Sequence, residues 1–207
     1  APSLVPPARG EWSDLVIRIV RDGRAGALPP RPDDPLTDHD MQLALYLAYE
    51  LSYRGLEGVP DEKEWDLDLL RVRLELERAF EEALLAAVPR DPVTPAEVPA
   101  RLRDLDEAVS PFGGHMERGA TLEQFREFVI HRSTYHCKEA DSHTFALPRL
   151  SSTAKAAFAE IQADEYGGGK TERVHAHLFV SMMDKLGLDT RNGAYLAAMP
   201  GATLANV

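Results

Sequence analysis

Between His131 and His177 the chain reads HRSTYHCKEADSHTFALPRLSSTAKAAFAEIQADEYGGGKTERVHAH. Five of its seven histidines fall there, with the single cysteine and several carboxylates. His131, Tyr135, Glu139 and His143 recur at i,i+4, with His136 three positions before Glu139, so on one continuous helix they stack along one face. An imidazole and a carboxylate one turn apart can reach the same ion, as in metal sites built inside helical bundles. Glu160 and Glu165 come from the next helical stretch, and His175 and His177 follow its glycines. His175 and His177 are i,i+2, so a regular helix points only one of them inward.

Oxygen and imidazole donors suit iron or manganese, and the lack of paired thiolates argues against structural zinc or an iron–sulfur cluster. Spacing alone leaves a second reading open, in which these residues cap helices and line core edges through hydrogen bonds. Cys137 beside His136 is read as a buried, inert thiol, because adjacent helical residues face different ways. The GGGKT stretch lacks the upstream strand and the full spacing of a phosphate loop.

The elements that must position these groups are helical. Residues 1–11, rich in proline, are read as a loose arm. Trp12, Leu15, Val16, Ile19 and Val20 share one helix face, and GRAGALPPRPDDP breaks the chain. Thr37 or Asp38 caps a largely buried helix expected to stop at Gly55, and Glu50 inside its apolar run needs a partner. Residues 67–88 form an amphipathic helix whose buried side is Leu69, Leu70, Val72, Leu74, Leu76, Phe80, Leu84 and Leu85. A short helix is expected over 96–109 and a loop over SPFGGHMERGAT, with His115 exposed. Thr121 caps a helix limited by Pro148, Ser151 or Ser152 caps the next, and Thr171 caps another running to Leu186. Strand alternation is nearly absent, so the fold class is all-α. The domain reading is an arm and short helix over 1–36 and one helical bundle over 37–207.

Composition narrows the function. The chain has 207 residues, 44% hydrophobic and 28% charged, enough for one domain with a real core. A net charge of -11 without clustered Lys and Arg argues against nucleic-acid partners. No apolar run approaches the roughly 20 residues of a membrane span. Prolines stand where a secretory signal would have its apolar segment, and one cysteine fits a reducing compartment, so a cytoplasmic location is expected.

The blocks HRSTYHCKEADSHTFALPRL and AEIQADEYGGGKTERVHAHLF, supported by DHDMQLALYLAYELSYRG, resemble the haem-oxygenase-like di-metal oxidases, a family of iron-containing redox enzymes. The resemblance runs from about residue 38 onward. It implies a haem-oxygenase-like helical bundle with ligands on three core helices. In the N-oxygenating branch, one helix gives a Glu and the next a Glu followed ten positions later by a His. Glu139, Glu165 and His175 fit that pattern, leaving His143, His136 and Glu160 as further ligands or as partners that orient ligands.

The family's third ligand helix carries His-x-x-x-Asp-x-x-His, and no such pattern follows His177; the expectation is that the C-terminal ligand helix is missing from this sequence. The implied cofactors are two ferrous ions, bridged by Glu139, with dioxygen as co-substrate. The implied reaction is oxidation of a small amine- or amino-acid-like substrate, foremost N-oxygenation. The alternatives are oxidative C–C cleavage of an amino or fatty acid, and a catalytically silent binding module. The implied partners are a small-molecule substrate and an unidentified electron donor, with a homodimer compatible with the family.

Overall fold

The computed structural model describes residues 1–88, 90, 92–106 and 111–207. Apart from one isolated bridge between Ser3 and Leu56, no described residue is in a strand, and the fold is all-α. The main helices are α1 (Glu11–Asp22), α2 (His39–Glu50), α3 (Leu67–Ala87), α4 (Val98–Asp106), α5 (Pro111–Arg118), α6 (Leu122–His136), α7 (Asp141–Thr144), α8 (Ser152–Glu165), α9 (His175–Lys185) and α10 (Gly201–Leu204). No described helix is long and apolar enough to cross a membrane.

α2 is the centre. Asp38 caps it by accepting from the amides of Asp40 and Met41, and α1, α3 and α10 pack around it. Its Leu43, Leu47 and Ala48 join Leu15, Val16 and Ile19 of α1 and Val72 and Leu76 of α3 in one apolar core. α1 has no cap of its own. The Asp40 carboxylate of α2 accepts from the amides of Trp12 (2.8 Å) and Ser13 (2.9 Å), a cap supplied from the neighbouring helix.

Several expectations need correction. The N-terminal arm is tied down: Ser3 donates to Gly55 and accepts from Glu57, and Leu4 donates to the Asn192 carbonyl. α2 stops at Glu50, and a turn carries the chain to Gly55. On α3 only Leu69, Val72, Leu76 and Ala79 are buried, while Leu74, Leu84 and Leu85 are exposed. At about 1.5 Å per residue, the 21 residues of α3 outrun the 12 of α2, so its last turns have nothing to pack on. The stretch read as a loop forms α5, which sets Phe112 against Phe128 at 5.4 Å between ring centres. The expected helix over 96–109 is seen as α4, and its expected end lies outside the described residues.

The ligand-bearing stretch forms a second, smaller apolar cluster. Val129, Cys137 and Met183 are buried there, with Phe125, Phe128 and Phe179 packed on them. α6 opens on the expected Thr121 cap, which forms a capping box with Gln124. It is shorter than its periodicity predicts, ending at His136 before α7 begins at Asp141.

Candidate metal centre

The break after α6 has a tertiary cause. Arg54 donates to the Cys137 carbonyl, the acceptor that a further helical turn would have used, and its Nε lies 3.5 Å from Asp141. Lys138 turns inward to the fully buried Glu50 and pairs with Glu50 Oε2. Its Nζ also lies 4.0 Å from the ring centre of Tyr46 and 5.1 Å from that of Tyr53, and Asn192 donates to Glu50 Oε1 at 2.9 Å. Burial lowers the Lys138 ammonium's pKa while Glu50 opposes the shift, and burial raises that of the Tyr46 hydroxyl. Such a pair is strongly coupled: either partner alone would be an uncompensated buried charge. The pair fixes residue 138, and with it the direction in which Glu139 leaves the chain.

α8 brings Glu165 to the same place through polar ties. The buried Gln162 donates to the Ala140 carbonyl (3.0 Å) and to Thr144 Oγ1 (3.1 Å). Glu165 follows one turn later, at the end of α8. His175 reaches Glu165 because the chain folds back sharply at Gly167, where φ is +69°. A Cβ there would stand 2.7 Å from the Arg173 carbonyl carbon and 2.8 Å from the Val174 amide nitrogen, so only glycine permits this return. The helix predicted from Thr171 is instead a 3-10 turn, Thr171–Arg173, followed by α9; His175 therefore occupies the first position of α9.

One ligand atom from each of Glu139, Glu165 and His175 lies within 4.8 Å of the others. Glu165 Oε2 is 2.7 Å from His175 Nδ1, and among the described residues this buried oxygen has no hydrogen-bond partner. An octahedral ion with bonds of about 2.1 Å holds its ligand atoms about 3.0 to 4.2 Å apart, so these donors fit one hard or borderline cation with little movement. The orphaned carboxylate oxygen supports the fit, since a buried acceptor without a partner is costly unless something binds it. Burial, followed by the Glu139 charge, raises the pKa of the nearby Tyr135 hydroxyl.

The other expected site residues lie outside this convergence. The sequence placed His131, Tyr135, Glu139 and His143 on one helical face, but the end of α6 removes that face beyond His136. His136 stacks on Phe179 with ring centres 4.9 Å apart and its Nδ1 3.3 Å from the Arg132 carbonyl. His143 Nδ1 lies 3.2 Å from Gln162 Oε1, which makes it a neighbour of the tie holding α8. Glu160 is exposed on α8, and His131 contacts Thr203 Oγ1 at 3.0 Å. Cys137 is buried and its thiol pKa is pushed up, as expected of an inert thiol.

Sequence reasoning missed Lys138, Arg54, Gln162 and Gly167, all of which act by positioning. The one available signal was Glu50, whose place in an apolar run called for a partner without saying which.

Glu139 is also a wall of a cavity of about 600 Å³ between α2, α3, the turn after α6 and α10. Tyr46, Tyr49, Leu45, Phe80 and Leu204 line it, with Glu77, Glu81 and Lys138. A cavity of this size lies within the roughly 300–1,000 Å³ typical of small-molecule sites. Glu165 and His175 reach Glu139 from its other side, through a smaller cleft shared with Lys138.

A search of curated proteins gave no match. The family whose features the residue pattern resembles is matched directly: the model of the haem-oxygenase-like iron-containing redox enzymes covers residues 126–207, the stretch that carries Glu139, Glu165 and His175, and the match selects no branch within that family.

Proposed function

We propose that this chain is a non-haem iron oxidoreductase that uses dioxygen to oxidise a small amine-type substrate, foremost by N-oxygenation. The observation that carries the reading is the convergence of Glu139, Glu165 and His175 beside a cavity large enough for a small molecule. The family match over residues 126–207 supports iron and redox chemistry at that place.

Bound iron would supply the ability to pass electrons to dioxygen. The chain's own groups prepare that chemistry. Glu139, Glu165 and His175 would hold the ion. The Glu50–Lys138 pair and the Gln162 bonds hold the two carboxylates at their separation, the outer contacts on which metal affinity and redox behaviour depend. Leu45, Phe80 and Leu204 offer an apolar surface to a substrate. Inserting one oxygen atom into an N–H bond sends the other to water and consumes two electrons, so the reaction requires an external electron donor. The single cysteine and the absence of a membrane-crossing helix among the described residues are compatible with a cytoplasmic site of action.

Anaerobic ferrous titration tests the reading directly. The unaltered chain should bind iron, and Glu165→Ala should lose it, with affinity falling more than 100-fold while thermal unfolding is unchanged. Absence of iron binding in the unaltered chain, or full binding by Glu165→Ala, overturns the assignment.

A further inference from the structure

The charges around the large cavity are uneven, and the unevenness bears on the substrate. Lys138 is the one cation among its described lining residues. Its ammonium is already engaged by Glu50, with the faces of Tyr46 and Tyr53 against it. Withdrawing it to meet a ligand would strand Glu50, which is fully buried. Among the described lining residues, a ligand carboxylate entering this cavity would therefore find no free cation to receive it.

Negative charge, by contrast, is in surplus. Glu77 accepts from the Tyr49 hydroxyl at 2.7 Å and has Arg73 Nε at 3.3 Å. Glu81 meets Arg90 only at 4.0 Å, with both side chains at least 70% exposed, a distance at which an ion pair contributes little. Glu139 also lines the cavity but is committed to the metal site, and Glu77 to Tyr49 and Arg73, so Glu81 is the acid of the described lining left to a ligand. Beside these acids lie the apolar surfaces of Leu45, Phe80 and Leu204, while the lining tyrosine rings already face protein cations: Lys138 at Tyr46 and Tyr53, Arg73 at Tyr49 and Arg132 at Tyr135.

We propose that the cavity takes an apolar amine that carries no carboxylate, with its hydrocarbon body on Leu45, Phe80 and Leu204 and its ammonium drawn by Glu81. The inference deepens the oxidase reading and rests on it for the claim that this occupant is a substrate. It separates the substrate from amino acids and fatty acids, both of which bring an anionic end that the lining repels.

The test uses three probes with one tail length: decylamine, decanol and decanoate, titrated calorimetrically into the full chain at pH 7.5. Decylamine should bind at least tenfold more tightly than decanol, and decanoate at least tenfold more weakly than decylamine. Glu81→Lys, at an exposed position that leaves the core untouched, should reduce or reverse the preference of amine over carboxylate. Decanoate binding as tightly as decylamine to the unaltered chain overturns the proposal, as does an amine preference that Glu81→Lys leaves unmoved. Ferrous loading is measured on the same preparation. Iron binding without amine preference removes this substrate class and leaves the oxidase reading standing. Amine preference without iron binding supports the cavity assignment and overturns the oxidase reading.

Discussion

α2 and α8 are similar in length, 12 and 14 residues, yet α2 buries nine side chains and α8 buries one, Gln162. α2 is held by apolar contact on nearly every side. α8 is held by a few directional polar ties: Gln162 to Ala140 and Thr144, and Tyr166 to Asp141 at 3.1 Å. Apolar burial is strong and tolerant of direction, which suits a scaffold. Hydrogen bonds contribute little net stability each but fix geometry, which suits ligands that must converge within fractions of an ångström. The molecule thus divides the work: the α1–α2–α3–α10 packing supplies stability, and the α6–α9 stretch supplies placement. The Glu50–Lys138 pair joins the two parts across 88 positions of sequence.

Breaking that joint should have the largest effect. Lys138→Met strands Glu50 without its cation and should cost about 3–5 kcal/mol in urea unfolding, whereas a double Glu50→Met/Lys138→Met should recover most of the loss. Recovery by the double variant would show that the pair specifies geometry more than it stabilises. Next, Leu43→Ala in the scaffold should cost about 2–5 kcal/mol by the same measurement. Ile161→Ala on α8, a side chain 50% exposed, should cost less than about 0.5 kcal/mol. Equal losses would abolish the contrast between the two helices.

Gly167→Ala sharpens the comparison from the placement side. Positive φ and the clash with Arg173 and Val174 should cost about 1–3 kcal/mol and, more tellingly, move His175 away from Glu165. Ferrous affinity should then fall at least tenfold while the near-ultraviolet signal of the buried Trp12 is unchanged. The smallest effect concerns pH. Burial, then the Arg132 charge, lowers the His136 pKa below the usual value of 6.5, against the pull of Glu139. The unfolded chain takes up this proton at a higher pH than the folded one, so the stability contribution is complete above pH 6.5 and declines as pH falls below it. His136→Gln should show a smaller drop in urea midpoint between pH 7.5 and 5.5 than the unaltered chain.

Much of the helical pattern was legible in the sequence, because propensity, capping and apolar period act over three or four residues. Asp38 and Thr121 as caps and the buried face of α1 are all local statements. α3 was misread at its far end for a nonlocal reason, since whether Leu84 is buried depends on the length of a partner helix. The long ligand face was misread because Arg54 takes the Cys137 carbonyl from outside the helix, which no period in residues 121–148 records.

The sequence by itself determined an all-α chain and, through the spacing and the family resemblance together, the three residues whose ligand atoms converge. Tertiary structure alone decided that they meet. It turned the chain at Lys138 through a charge buried in another helix, folded it back at Gly167, and left a cavity against Glu139. Those outcomes depend on contacts between residues tens of positions apart, whose energies belong to the packed molecule and leave no local mark on the chain.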